Sequence, residues 1–206
     1  RGYGRVTDIV IKNCLFTEAY LIVGSTGDTA RRWNVHHNKF IRSSCLFSGA
    51  QELEIHHNEF DRNNFHGDIG AIQTSNTGAI VFRSRVYNNL IYCVRQRLNQ
   101  RCTGIRAGRS VDVFHNTIVV HNRTATVNRC LWTDAVAGRD CRIGNNILVN
   151  LGAFACVGHR TTGGAISSDG NLFQTAHASG YVVDQSTLVE WQKTGNDKNS
   201  VEGDPQ

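Results

Sequence analysis

One eight-residue pattern recurs seven times along the chain, and this repeat constrains the fold more than any other feature. Each copy approximates the order apolar, any, apolar, any, Asn or His, Asn, any, large apolar. The copies begin at Ile9, Trp33, Leu53, Ser84, Val111, Cys141 and Ile166, and their sixth positions are Cys14, Asn38, Asn58, Asn89, Asn116, Asn146 and Asn171. The steps between sixth positions are 24, 20, 31, 27, 30 and 25 residues. Units this short cannot bury their own apolar faces, so we expect them to stack.

Each unit predicts a short strand followed by a turn. The apolar residues alternate with a period of two, which places every second side chain inward. Asn in the turn tolerates the left-handed conformation and bonds to local backbone. Asn side chains at the same turn of successive units predict a ladder of amide hydrogen bonds. A helical solenoid needs longer stretches with a period of 3.6 residues, and the chain contains no convincing one.

On these seven units, the chain resembles the right-handed parallel β-helix proteins of the pectin-lyase-like superfamily from Val6 to Phe173. The resemblance implies an all-β fold, a right-handed parallel β-helix solenoid of about seven rungs with an Asn/His turn ladder. One domain is expected over residues 1–206, with rungs in 6–173 and a C-terminal tail or cap in 174–206. Within that tail, Thr187–Lys193 is expected to form a short helix or loop over the last rung.

The two ends of the chain bear on its setting. The tail resembles a segment near the end of many secreted bacterial β-helix proteins, which implies an extracellular or cell-surface location. The chain begins at Arg1 without a Met, so we expect a fragment or a processed chain. No apolar run approaches the roughly 18 residues of a membrane span, and no span is predicted.

The charge distribution favours an anionic partner. The formal net charge is +5, and 18 of the 22 basic residues are Arg, whose planar fork matches carboxylate, sulfate and phosphate. Seven Arg and no acid lie between Arg83 and Arg109. This local excess predicts attraction of a polyanion, unless acids of other segments balance it in the fold. The substrate-binding residues predicted from this region are Arg95, Arg97, Arg101 and Arg106.

The repeat also aligns the outward side chains of the predicted strands in two rows. The outer row is Lys12, His36, His56, Tyr87, Phe114, Gly144 and Asp169, and the parallel row is Val10, Asn34, Glu54, Arg85, Asp112, Arg142 and Ser167. Elimination from a uronate needs a cation for the carboxylate, a base for the C5 proton and an acid for the leaving oxygen. His56, Tyr87 and Arg85 are therefore the predicted catalytic residues, and Lys12 and His36 are further predicted substrate-binding residues. The alternative is that the three predicted catalytic residues are ordinary exposed strand residues that stack for packing.

The histidine pairs, one loop rich in Asp and Asn, and the cysteines raise the question of metal and disulfide chemistry. The pairs His36-His37 and His56-His57 lie one rung apart and could share a transition metal, but their alignment with turn Asn residues favours a turn role. Calcium is the one cofactor considered, at Asp61, Asn63 and Asn64, whose oxygens equally suit a turn. Seven Cys show no zinc-finger spacing. Cys93 and Cys102 bracket the Arg-rich insert and form a candidate disulfide in an oxidising compartment.

Two functions follow from these observations. The first is an extracellular protein that binds or processes an acidic polysaccharide, with lyase-like or epimerase-like chemistry if it is an enzyme. The second is a structural or adhesive module that associates end to end into filaments or a surface appendage. The catalytic motifs of several enzymes of that superfamily are missing. Gly158-His159-Arg160 lacks the last Gly of the Gly-His-Gly turn of polygalacturonase-like enzymes. The epimerase and pectate lyase motifs each contain a Pro, and the single Pro of this chain, Pro205, does not lie in either motif. Nucleic acid is disfavoured as a partner because no recognised binding module is present.

Overall fold

The computed structural model describes residues 6–23, 30–62, 70–75, 83–95, 102–122, 128–136, 138–152, 154–176 and 178–204. These residues form a parallel β-solenoid of about six turns. Three sheets run along the solenoid, and successive strands of one sheet come from successive turns. The predicted parallel β-helix is therefore confirmed, with about six turns where the sequence predicts about seven rungs.

The strands are short and the bounds are as follows. Sheet 1 contains Val10–Lys12, Asn34–His36, Glu54–His56, Ser84–Tyr87, Val111–Phe114, Cys141–Gly144 and Ile166–Asp169. Sheet 2 contains Leu15–Thr17, Lys39–Ile41, Glu59–Asp61, Leu90–Arg95, Thr117–Asn122, Ile147–Asn150, Leu172–Thr175 and Val201–Glu202. Sheet 3 contains Tyr20–Val23, Ser44–Ser48, Ile72–Ser75, Cys102–Ala107, Asn128–Val136 and Val157–Thr162. Val6–Thr7 pairs with Ala30–Arg31, and the helix spans Leu188–Lys193.

The register of sheet 1 is the one that the repeat predicts. Lys12 pairs with His36, His36 with His56, and His56 with Tyr87. The outer row continues from Tyr87 through Phe114 and Gly144 to Asp169. Each strand of sheet 1 therefore presents its outer-row residue directly above that of the preceding rung.

The core lies between the three sheets and is filled by the alternate, inward side chains. In the second rung, Val35, Phe40 and Cys45 come one from each sheet, and all three are fully buried. Phe40 stacks on Phe16 and Phe60 with ring centroids 4.6 and 4.4 Å apart. Parallel strands place identical rings in register, so one Phe column forms the first part of the sheet 2 interior.

The turn between sheets 1 and 2 carries the buried Asn ladder, which consists of Asn38, Asn58, Asn89, Asn116, Asn146 and Asn171. In each step, the side-chain oxygen of one Asn accepts from the backbone N–H and the side-chain amide of the preceding one. For Asn89 accepting from Asn58, the two N···O distances are 3.1 and 3.0 Å. The Asn89 amide also donates to the Ile55 carbonyl at 2.9 Å. The predicted ladder is confirmed, and every member satisfies its buried polar atoms.

The residue before each ladder position adopts the left-handed conformation. These residues are Asn13, His37, His57, Asn88, His115, Asn145 and Gly170, with φ between 51° and 67°. His37 and His57 thus occupy the same backbone position as Asn, as the sequence alignment predicts. The sequence predicts that one turn Asn both adopts the left-handed conformation and forms the amide ladder. In the structure these two roles belong to adjacent residues, the first of which has the left-handed φ while the second forms the ladder.

The C-terminal tail covers the last rung. The helix Leu188–Lys193 begins with a capping box between Thr187 and Glu190, and Leu188 and Trp191 pack against the core. Asp197 is fully buried and accepts from the Trp191 indole at 2.7 Å and from the Asn171 amide at 2.8 Å. The Asn171 backbone N–H donates to Ser200 Oγ at 2.7 Å, so Asp197 and Ser200 together take the place of the next ladder amide.

Candidate functional site

The three predicted catalytic residues lie together on the outer face of sheet 1. Glu54–His56 and Ser84–Tyr87 are neighbouring strands, with His56 opposite Tyr87 and Glu54 opposite Arg85. Glu54 accepts from Arg85 Nε at 2.7 Å, and Arg85 Nη2 contacts the same oxygen. The predicted trio is thus assembled by strand register, and its cation is already ion-paired.

Four rings of the outer row stack face to face. His36, His56, Tyr87 and Phe114 have successive centroid separations of 5.0, 4.7 and 5.2 Å, with interplanar angles of 2°, 11° and 8°. The inner rings of this stack, His56 and Tyr87, have a neighbouring ring on each face. Only their edges reach solvent, so these two rings cannot stack on a ligand.

The hydrogen bonds of His56 fix its tautomer. Asn34 Oδ1 lies 3.0 Å from His56 Nε2, and an amide oxygen only accepts, so Nε2 carries the proton. His56 Nδ1 then accepts from His57 Nδ1–H across 2.7 Å. His57 Nε2 in turn faces the Asn88 amide donor at 3.5 Å. Both nitrogens of His56 are therefore engaged by the protein.

Burial and neighbouring charges keep this cluster neutral. The pKa of His56 is lowered from 6.5 to about 4, first by burial and then by His36, His57, His37 and Arg85. Burial likewise lowers the pKa of His36. The pKa of Tyr87 is raised because burial and the Glu54 carboxylate disfavour the phenolate. At neutral pH the His36 and His56 imidazoles and the Tyr87 phenol are therefore uncharged.

The acids of this face are engaged, whereas two of its cations are not. Glu54 binds Arg85, Asp112 binds Arg83, and Asp169 accepts from Asn199 backbone N at 2.8 Å and side-chain N at 2.7 Å. Among the described residues, by contrast, the exposed side chains of Lys12 and Arg142 have no ion pair. Asn199 is neutral, so Asp169 keeps its charge, and the two unpaired cations leave this face with a small positive excess.

The predicted substrate-binding residues do not share one face. Lys12 and His36 lie on sheet 1, beside the trio. Arg106 is exposed on sheet 3, where it pairs with Trp132. Arg95 ends a strand of sheet 2, and Arg97 and Arg101 lie outside the described residues. The Arg-rich stretch from Arg83 to Arg109 is thus distributed over all three sheets, which its linear spacing does not reveal.

The metal and disulfide predictions concern the histidine pairs, the loop after Asp61 and the core cysteines. Among the described residues, no three His, Cys, Asp or Glu side chains are arranged to hold a metal ion. The predicted calcium site includes Asn63 and Asn64, which lie outside the described residues. Cys93 and Cys102 are both buried in the core, and Cys102 Sγ lies 3.6 Å from the Cys93 carbonyl oxygen, so the candidate disulfide between them stays a prediction. Burial raises the pKa of the Cys130 thiol well above its ordinary value, as expected for a core residue.

A second polar cluster joins sheet 3 to the tail. His159 Nδ1 and Arg129 Nη2 lie 2.7 and 3.3 Å from the two carboxylate oxygens of Asp184. Burial alone would raise the pKa of Asp184, but His159 and Arg129 lower it overall. The Arg129 guanidinium also lies 4.6 Å from the Trp132 ring centroid. Each group has a partner within the cluster, so we interpret it as an anchor for the tail.

The sequence prediction missed a cavity next to Phe114. Gly144 follows Phe114 in the outer row and has no side chain, so the stack of rings stops there. An open cavity of about 500 Å³ occupies this position. Its lining includes Asp112, Phe114, Arg142, Gly144, Asp169 and Asn199. The signal in the sequence is the one Gly in a row otherwise composed of large or charged side chains.

Comparisons with protein-family models, with curated proteins and with solved structures find no match to this chain. The fold and the surface together define this protein as a parallel β-solenoid whose sheet 1 has a polar and aromatic outer face. No helix within the described ranges is long and apolar enough to cross a membrane.

Proposed function

We propose that this protein is an extracellular β-solenoid, related to the pectin-lyase-like proteins, that binds an acidic polysaccharide on the outer face of sheet 1. The observation that carries the proposal is the pairing of charges on this face. Glu54, Asp112 and Asp169 are each held by a protein partner, while Arg142 and Lys12 are exposed without an ion pair to any residue that the structure describes. A carboxylate-bearing chain would supply the counter-charges that the protein does not.

Binding is a better proposal than elimination. A base must present a lone pair to the substrate proton, but His56 uses both nitrogens in hydrogen bonds and has its pKa lowered to about 4. The raised pKa of Tyr87 keeps its phenol protonated, so it does not supply a base either. Lyase chemistry at His56, Tyr87 and Arg85 therefore requires these contacts to exchange when substrate arrives.

One screen tests both binding of the polysaccharide and its cleavage by elimination. The protein is titrated calorimetrically with polygalacturonate, alginate and hyaluronan, with and without calcium, and with dextran as the neutral control. Parallel samples are followed by ultraviolet absorbance of the unsaturated product. We expect heat of binding for at least one uronan, none for dextran, and a flat absorbance trace. A protein that binds none of the three uronans contradicts the proposed function, and a rising trace establishes the lyase form.

End-to-end association is the second candidate, and one observation favours it. In the first rung the inward side chains Ile11, Phe16 and Leu21 are only half-buried, while Val35 and Phe40 beneath them are fully buried. A further layer of chain over this end would complete their burial. Light scattering over a concentration series tests the idea. Oligomers that grow with concentration support it, and a monomer at all concentrations contradicts it.

A further inference from the structure

The outer row contains a gap that is one side chain thick. Phe114 has Tyr87 stacked on one face at 5.2 Å, and the next position on its other face is Gly144. The following position is Asp169, two rungs from Phe114. Strands lie about 4.8 Å apart, so Phe114 and Asp169 bracket a space of about 9.6 Å between their strands. One ring placed midway would continue the stack at the spacing that its existing rings already show.

The polar groups around this gap suit an anionic ring. Arg142 lies in the neighbouring row, level with Gly144 on the same strand, and its guanidinium is exposed without an ion pair among the described residues. Asp169 is held in place by Asn199, so its carboxylate can accept from ligand hydroxyl groups without moving. Asp112, also on the lining, is already neutralised by Arg83. The site thus offers an apolar face, an available cation and fixed acceptors.

We infer that the gap at Gly144 binds a single six-membered sugar ring that carries a carboxylate, as the missing ring of the outer stack. The apolar C–H face of the sugar packs on Phe114, its carboxylate pairs with Arg142, and its hydroxyls meet Asp169 and Asn199. This inference rests on the proposed function and assigns it one ring position.

Filling the gap is the sharpest test. In Gly144→Phe, the added Cβ meets the Asp169 backbone oxygen at 3.3 Å, a contact that a shift of a few tenths of an ångström relieves. The new ring then stacks on Phe114 and occupies the ligand position. Val10→Phe is the matched control, since it adds the same ring to an exposed position of the first strand of sheet 1. Far-ultraviolet circular dichroism checks that both variants are folded.

The probes are trigalacturonate, trimannuronate, neutral galactotriose and the three uronans of the screen. We expect at least one acidic ligand to bind the wild type and Val10→Phe equally, and to bind Gly144→Phe about tenfold more weakly or worse. Arg142→Gln leaves the gap open and provides the second variant. It is expected to weaken the acidic ligand by about tenfold and to leave galactotriose unaffected.

The outcomes separate the two claims. If a uronan binds the wild type and Gly144→Phe with equal affinity, the ring site is wrong while the proposed function stands. If Arg142→Gln binds that uronan as tightly as the wild type does, the assigned carboxylate contact is wrong. If no uronan binds the wild type, the proposed function fails and the ring site fails with it.

Discussion

The Asn ladder and the outer row follow the same repeat units, two residues apart in the chain, but they differ in how uniform they are. The ladder repeats Asn in six successive rungs, and all six are buried. The outer row changes from Lys12 through His and aromatic rings to Gly144 and Asp169. Each column repeats its own backbone geometry from rung to rung, so the difference in uniformity lies in the environment of the side chains.

This comparison separates the residues that hold the fold from those that are available for function. A buried amide must satisfy a donor and an acceptor in each neighbouring rung, and Asn does both. The outer row faces solvent, where water can satisfy any polar group, so the fold tolerates several side chains and even none. The break at Gly144 therefore costs the solenoid little and leaves a space that a ligand can fill.

The largest stability effect is expected from breaking the ladder. Asn89→Ala removes the acceptor of the Asn58 backbone N–H and of its side-chain amide, and leaves buried donors without partners. The expected cost is about 2–4 kcal/mol, because an orphaned buried polar group is more costly than a hydrogen bond is stabilising. Chemical denaturation measures this loss. The matched control is Asn88→Gly, at a left-handed position with φ 51°, which should change stability by only a few tenths of a kcal/mol.

A smaller effect is expected from interrupting the closed part of the outer row. Tyr87→Ala removes ring contacts with His56 at 4.7 Å and Phe114 at 5.2 Å, at an expected cost of about 1–2 kcal/mol. Tyr87→Phe keeps both contacts and should change stability by less than about 0.5 kcal/mol. Equal losses in the two variants would show that the hydroxyl, and not the stack, stabilises this region.

The stack is also expected to make stability depend on pH. The folded state holds the pKa of His56 at about 4 against an ordinary 6.5, so between these values the unfolded state binds more protons. Stability is then fully present above pH 6.5 and falls as the pH falls toward 4. Unfolding midpoints at pH 7 and pH 5 should differ less in His56→Phe, which keeps a ring between His36 and Tyr87. An unchanged difference would contradict the neutral cluster.

The smallest stability effect is expected from completing the outer row. Gly144→Phe replaces a strand Gly by a residue with higher β propensity and adds one stacked ring. The contact of its Cβ at 3.3 Å offsets part of that gain. We expect the unfolding free energy to stay within about 1 kcal/mol of the wild type. A loss of several kcal/mol would mean that Gly144 is required by the fold, as the ladder residues are.

Much of the fold could be predicted from the sequence because its signal is repeated. The eight-residue pattern gives the strand register, the buried ladder from Asn38 to Asn171 and the neighbours of His56 and Tyr87, since stacked units repeat one geometry. The Arg-rich stretch was not predictable in the same way. Arg95 and Arg106 belong to different sheets, and loops of unequal length between strands carry no repeated signal.

The candidate site was predictable only in part. The alignment of the repeats brings His56, Tyr87 and Arg85 together. It does not reveal that Glu54 binds Arg85. Nor does it reveal that His57 and Asn34 form hydrogen bonds with both ring nitrogens of His56. Those contacts depend on side-chain rotamers. The cavity beside Phe114 exists because Gly144 has no side chain. A search for chemically reactive residue types does not single out a Gly.

The most direct test of the division between ladder and outer row is a map of backbone and aromatic chemical shifts during titration with the tightest-binding uronan. If the outer row holds the site, the shifts should centre on Phe114, Arg142, Gly144 and Asp169, with the ladder side-chain amides unmoved. Shifts centred on Arg106 and the rest of sheet 3, or spread along the ladder amides, would contradict it.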